Sequence, residues 1–194
     1  MNEGEEVGRI SSRRAYAGRV ISVDVDTVRF PNGTSGDLEM VRHPGASAVV
    51  PFLDDFNEPD PRIILIRQYR YAAEGFVYEI PAGRLDAGEQ PEACGHRELQ
   101  EETGYSAERL VKLTTFYTTP GFTDERIHLF AATGLMAGVS KLESDEILDL
   151  HVVPLSSTIG MIGSGEIIDG KSMVGLMFAA SFLWQAPDPA PNPG

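Results

Sequence analysis

The sequence predicts an α/β fold: a mixed sheet between helices, an α/β/α sandwich, preceded by an N-terminal antiparallel β-hairpin layer. Three observations carry this reading. Short strand-like apolar runs recur through the first two thirds of the chain, one sharply bounded helix lies between Pro91 and Gly104, and an apolar segment stands near the C-terminus.

In chain order, residues 19–30 alternate, with Val20, Ser22, Asp24 and Asp26 on one face and Ile21, Val23, Val25 and Thr27 on the other, the period of a strand. Pro31-Asn32-Gly33 makes a turn, and residues 38–43 return as the partner strand. Residues 46–53 and 62–69 read as strands joined by a polar connection at 54–61, and residues 77–80 read as a strand entering a loop. Residues 110–118 and 127–133 are further strands, and residues 173–185, apolar on several faces, form a closing helix. The organisation expected is a flexible N-terminus (1–9), a hairpin region (10–43), one compact domain (44–185) and a tail (186–194). With four prolines in nine residues, the tail should be extended and disordered.

The helix carries the chemistry. Pro91 fits the first helical position, where a backbone N–H would be unpaired anyway. Glu92 sits in the first turn, where the macrodipole favours an anion, and Gly104 takes the left-handed cap conformation cheaply. Glu98 and Glu102 are four residues apart and leave the same face one turn apart, with Glu101 three residues from Glu98. Like charges so placed repel unless a cation sits between them. Carboxylate oxygens, completed by waters and substrate phosphates, are what magnesium or manganese prefers, so nucleotide hydrolysis is the leading idea. The competing reading is a solvated acidic helix end. The context upstream moves the balance: Gly83 and Gly88 shape a loop beside the carboxylates, Glu89 returns before the helix begins, and Arg97 can hold Glu98 in position. Gly95, inside the helix, should cost about 1 kcal/mol relative to alanine.

Gly83, five residues, Glu89, seven residues, Arg97-Glu98, Leu99, one residue, Glu101-Glu102, one residue, Gly104 and apolar Tyr105 resemble, at every required position, the Nudix hydrolase signature. Residues 46–50, 63–70, 77–83 and 116–126 are similar to the ADP-ribose pyrophosphatase branch of that superfamily, with Arg67-Gln68-Tyr69-Arg70 and Glu79-Ile80-Pro81-Ala82-Gly83 the most telling segments. Pro120, sixteen residues beyond Gly104 and followed by Gly121-Phe122-Thr123-Asp124-Glu125, is similar to the proline that accompanies ADP-ribose preference there.

The resemblance implies metal-dependent hydrolysis of the ADP-ribose pyrophosphate bond to AMP and ribose 5-phosphate. Glu98 and Glu102 are then the primary ligands of Mg2+, with Mn2+ a possible substitute, Glu101 is secondary, and the Ala82 carbonyl joins them. Gly83 and Glu89 support the site, Arg97 holds a carboxylate, Arg70 and Arg67 bind the phosphates, and Glu79, Pro120 and Phe122 belong to the substrate side. The general base comes from an acidic loop beyond the core, which points to Glu146 and then Glu143. In the related branch such an N-terminal layer exchanges between subunits, so the resemblance implies a homodimer, against the alternative of a hairpin folded onto its own sheet. Tyr16, Phe30, Phe76 and Phe122 are candidates for stacking on adenine. Two alternatives stay open: hydrolysis of another nucleoside diphosphate sugar (GDP-mannose, ADP- or UDP-glucose), and a non-catalytic nucleotide-sugar-binding module, to which the complete set of signature carboxylates runs counter.

Composition sets outer limits. At 194 residues and 42% hydrophobic, the chain can bury one good core. A formal net charge of −13 argues against nucleic acid as a partner, because phosphate backbones are bound by clustered Lys and Arg. The single cysteine, Cys94, excludes an internal disulfide and suits a reducing compartment. No apolar run approaches the roughly 20 residues of a membrane span, and residues 1–9 lack the apolar core of a signal peptide, so a soluble, cytoplasmic protein without a membrane partner is expected. His43, His96, His128 and His151 show no metal-ligand spacing.

Overall fold

The computed structural model describes residues 6–139 and 148–183. Ten strands and three helices follow one another: β1 (Gly8–Ala17), β2 (Ser22–Arg29), β3 (Ser35–Arg42), β4 (Ala46–Pro51), β5 (Arg62–Arg70), β6 (Gly75–Glu79), β7 (Ala82–Arg84), α1 (Pro91–Thr103), β8 (Tyr105–Tyr117), β9 (Arg126–Ala137), β10 (Leu148–Pro154), α2 (Leu155–Ser164) and α3 (Gly170–Phe178) among the described residues. Two compact units result, one of residues up to Gly45 with Phe116–Arg126, the other of Ala46–Thr115 with the residues from Ile127 on.

The larger unit is organised around β4, whose six residues are all buried. A strand buried on both faces reads as a continuous apolar run, and Ala-Ser-Ala-Val-Val-Pro is nearly that. It lies in a mixed sheet of order β7-β4-β9-β8, parallel to β9 and antiparallel to β7. Adjacent residues of a strand point to opposite faces. Val49 faces α1, where a Cβ on Gly95 would come 3.4 Å from Val49 Cγ2 and 3.0 Å from Leu110 Cδ1. Val50 faces α3, where a Cβ on Gly175 would come 3.1 Å from Val50 Cγ2 and 2.9 Å from Ile80 Cδ1. Helices therefore cover both faces of this strand, the α/β/α sandwich expected, and each crosses it at a glycine. The propensity cost of Gly95 has its reason here, in the close approach of α1 to the sheet. Val49, Leu99, Leu110, Phe130 and Ala132 fill the α1 side. A second, antiparallel sheet of order β10-β5-β6 adds the buried run Ile63, Ile64, Leu65 and Ile66.

The smaller unit is an antiparallel sheet of order β1-β2-β3. The Pro31-Asn32-Gly33 turn joins β2 to β3, with Gly33 at a φ of 83°. The hairpin expected is thus a three-stranded layer, because β1 begins at Gly8, inside the stretch read as a flexible N-terminus. Its Gly-Arg-Ile-Ser-Ser-Arg-Arg-Ala-Tyr-Ala shows no apolar alternation and is exposed along its whole length, so periodicity had nothing to register. The loop after β8 is stitched onto the end of β3: Val41 N–H donates to Phe122 O at 2.8 Å, and Asp124 accepts from His43 N–H at 3.0 Å and from Arg42 at 3.1 Å.

Two further elements, β10 and α2, also escaped the sequence reading. Helix α2 is rich in Ser, Thr and Gly, which are weak helix formers. The closing helix is α3, starting at Gly170 and passing into a π-helical turn, Ala179–Leu183. Among the described residues no helix is long and apolar enough to cross a membrane. The expected tail, 186–194, lies outside the described residues.

Candidate active site

Helix α1 forms as its sequence dictates. Pro91 occupies the first helical turn, Glu92 lies near the positive end, and Gly104 closes it at a φ of 76°, its N–H donating to Gln100 O at 2.9 Å. Ser47 Oγ on β4 donates to Pro91 O at 2.6 Å, tying the helix start to the central strand. The face carrying Glu98 and Glu102 turns inward, leaving these residues only 8% and 3% exposed. Charges buried so far need compensation.

Much of it comes from Arg97. Its guanidinium grips Glu89 with Nε and Nη2, both at 2.9 Å, while Nη1 donates to Glu98 at 2.6 Å and to Glu101 at 3.0 Å. A further contact runs from Nη2 to the Arg84 carbonyl at 3.1 Å, which ties the loop to the helix. Arg97 beside it holds the Glu89 carboxyl down at about 2. Reciprocally, Glu89 above all keeps the Arg97 pKa far above its ordinary value. Glu102 accepts a hydrogen bond from Ala82 N–H at 2.9 Å, so the Ala82 backbone lies directly beside the second inward carboxylate.

Gly83 explains itself in the same geometry. A Cβ built on it would fall 1.9 Å from Glu98 Oε1, so the carboxylate occupies the space of the missing side chain. The thiol of Cys94 lies behind this site. Burial, followed by the Glu89 and Glu98 charges, pushes it up to about 11, and it stays protonated and inert.

Glu79, at the end of β6, is 2% exposed and receives Arg70 through Nε at 2.6 Å and Nη2 at 2.9 Å. From the other side Lys171, in the first turn of α3, is also ion-paired to Glu79 and reaches Asp169 at 3.0 Å. Burial pushes the Glu79 carboxyl up, but Arg70 and Lys171 more than offset it and hold it below its ordinary value. The pKa of Arg70 is raised, chiefly by Glu79, and the field of Glu102 contributes as well. Arg70 therefore sits within electrostatic reach of α1. Lys171 was not singled out from the sequence. The only signal was the Asp169 cap, whose carboxylate accepts from Ser172 N–H at 2.9 Å and so fixes the helix start.

Not all expected site residues come together. Arg67 has opposite parity to Arg70 on β5 and lies on the other face, stacked 4.7 Å from the Phe76 ring centre and 5.9 Å from that of Tyr78. Phe76 is thereby engaged with an arginine and with Tyr69. Pro120 and Phe122 belong to the smaller unit, both exposed. Glu143 and Glu146 lie outside the described residues.

The donor set suits a hard divalent cation. Among the described residues no three His, Cys, Asp or Glu side chains converge tightly enough to hold an ion by themselves. Two carboxylates completed by waters and substrate oxygens are the usual arrangement for magnesium, and the buried pair Glu98 and Glu102, with Glu101 close by, fits that pattern.

A family model described as the NUDIX domain matches residues 42–171. The chain is 39% identical over 171 residues to the ADP-ribose pyrophosphatase of Bacillus subtilis (strain 168), spanning 87% of this chain and 90% of that one. It is equally similar, 39% over 171 residues with the same coverage, to the methanol dehydrogenase activator of Bacillus methanolicus. The fold matches the crystal structure of an ADP compounds hydrolase with a TM-score of 0.78 at 21% identity, covering 94% of this chain and 97% of that one. The chain belongs to the NUDIX domain family of hydrolases.

Proposed function

We propose that the protein hydrolyses the pyrophosphate bond of ADP-ribose to AMP and ribose 5-phosphate, with Mg2+ as cofactor and Mn2+ able to replace it. The observation that carries this is the buried Glu98 and Glu102 pair on one face of α1, opened by Gly83 and beside the Ala82 backbone. The 39% identity to a protein named ADP-ribose pyrophosphatase supports the choice of substrate.

Bound divalent cations supply charge neutralisation on the diphosphate and a water acidified toward attack. Glu98 and Glu102, with Glu101 and the Ala82 carbonyl, hold them. Arg97 keeps Glu98, Glu101 and Glu89 in one arrangement, so little reorganisation is needed when substrate enters. Arg70 grips the phosphates, a task for which its planar guanidinium is suited, and Glu79 fixes its orientation. Glu146, or failing that Glu143, takes the proton of the attacking water. Pro120 and Phe122 shape substrate preference, and residues 10–43 are the dimerisation region of a cytoplasmic homodimer.

A substrate panel tests this reading: ADP-ribose, ADP-glucose, GDP-mannose, UDP-glucose, NADH and dATP, each with magnesium and with EDTA, products resolved by chromatography. ADP-ribose is expected to be fastest, giving AMP and ribose 5-phosphate only when metal is present. Faster turnover of another sugar nucleotide moves the substrate assignment, and no turnover of any overturns the reading. Light scattering at micromolar concentration is expected to report a dimer, and a monomer removes that assignment.

A further inference from the structure

A cavity of about 450 Å³ opens between β6, the turn after β5 and the start of α3, lined by Arg70, Glu79, Lys171, Ala73, Val77 and Ile168 among others. Two cations face it, and the carboxylate between them is buried and engaged with both. The donors left over matter. An ammonium has three, and the structure commits those of Lys171 to Glu79 and Asp169, leaving one for whatever enters the cavity. Arg70 offers Nε and Nη2 to Glu79, and its Nη1 edge makes no hydrogen bond among the described residues. Both cations are thus held in place from behind by a shared carboxylate, each with donor capacity remaining. Among the residues lining the cavity none is aromatic, so it offers an anion donors and a sugar small apolar walls, but a purine no ring to stack on.

We propose that this cavity seats the sugar-phosphate half of the substrate and that Lys171 is a substrate-binding residue there, its ammonium donating to the phosphate together with Arg70. The inference rests on the reading of the protein as a hydrolase of ADP-ribose, and deepens it by dividing the substrate: the sugar phosphate lies against α3, the nucleoside elsewhere. Glu79 is the positioning residue, because it sets both cations without facing solvent itself.

The test uses binding rather than turnover. Calorimetric titration of the full-length protein with ribose 5-phosphate and, separately, AMP is run on the wild type, Lys171→Met and Ala73→Leu. Loss of a charge-assisted hydrogen bond should weaken ribose 5-phosphate by about 10- to 100-fold in Lys171→Met, and AMP by less than about threefold. Ala73→Leu touches none of the ion pairs and narrows an exposed wall, so it keeps the comparison open should Lys171→Met fold poorly, and it too should weaken ribose 5-phosphate selectively. In steady state Lys171→Met should raise KM with kcat nearly unchanged. Equal binding of ribose 5-phosphate by the wild type and both variants, or equal weakening of both products, overturns the assignment. If the wild type fails to hydrolyse ADP-ribose while ribose 5-phosphate binding still depends on Lys171, the substrate reading fails and the cavity assignment stands.

Discussion

Two clusters of carboxylates in this molecule use the same ingredients to opposite ends. On the β1-β2-β3 sheet, Asp24 and Asp26 are buried, and with Asp124 they meet two guanidiniums, Arg14 and Arg42. Around α1, Glu89, Glu98 and Glu101 share the single guanidinium of Arg97, while Glu102 turns to a backbone N–H. In the first cluster charge is nearly balanced within the protein, and the Asp24 carboxyl is held low by Arg14 and then Arg42. In the second, three carboxylates converge on one guanidinium. Such a cluster suits the divalent cation that we propose it holds. The lesson is that an acidic cluster is read by its ratio of carboxylates to fixed cations, not by its acidity.

This contrast can be broken in several ways. Substituting Glu98→Gln or Glu102→Gln should reduce metal-dependent turnover by about a hundredfold or more while leaving the melting temperature unchanged or raised, since like-charge repulsion is relieved. A melting temperature that collapses in both would make these residues structural, like those of the β1-β2-β3 sheet. Glu146→Gln should cost about two orders of magnitude in kcat with KM little altered, and near wild-type rates in both this variant and Glu143→Gln would remove these two residues as the source of the base.

Gly83→Ala is a smaller perturbation aimed at the same ligand. Its methyl must displace the Glu98 carboxylate, so turnover should fall by about tenfold to a hundredfold with the fold retained on circular dichroism. An unaffected rate would show that Glu98 need not sit where it does. The mirror experiment on the balanced cluster is Asp24→Asn, which leaves two arginines under-compensated. It should lower the melting temperature without changing the metal concentration that half-activates the enzyme.

The gentlest test is pH. The folded-state pKa of Glu89 is depressed from 4.5 to about 2, so its pairing with Arg97 stabilises the protein above pH 4.5 and is lost as pH falls through about 2. The melting-temperature difference between wild type and Glu89→Gln should therefore be constant above pH 4.5 and shrink below it. A difference that grew on acidification would mean that Glu89 is not the ionised partner of Arg97.

Some of this molecule could be read without coordinates because the causes are local. Helix α1 begins at Pro91 and ends at Gly104 because ring geometry at one end and left-handed backbone at the other depend on neighbours in sequence alone, and the four-residue spacing of Glu98 and Glu102 fixes their common face. The alternation of residues 22–29 and the glycine turn at Gly33 are equally local. What the chain could not disclose alone depends on partners distant in sequence. That Gly83 makes room for Glu98, that Gly95 and Gly175 admit two helices to Val49 and Val50 on opposite faces of one strand, and that β1 exists at all although no residue of it is buried, are facts of packing. Lys171 is the clearest case. Nothing near it in sequence points to Glu79, and only the fold of α3 across the sheet closes the 92 residues between them into one ion pair facing a cavity.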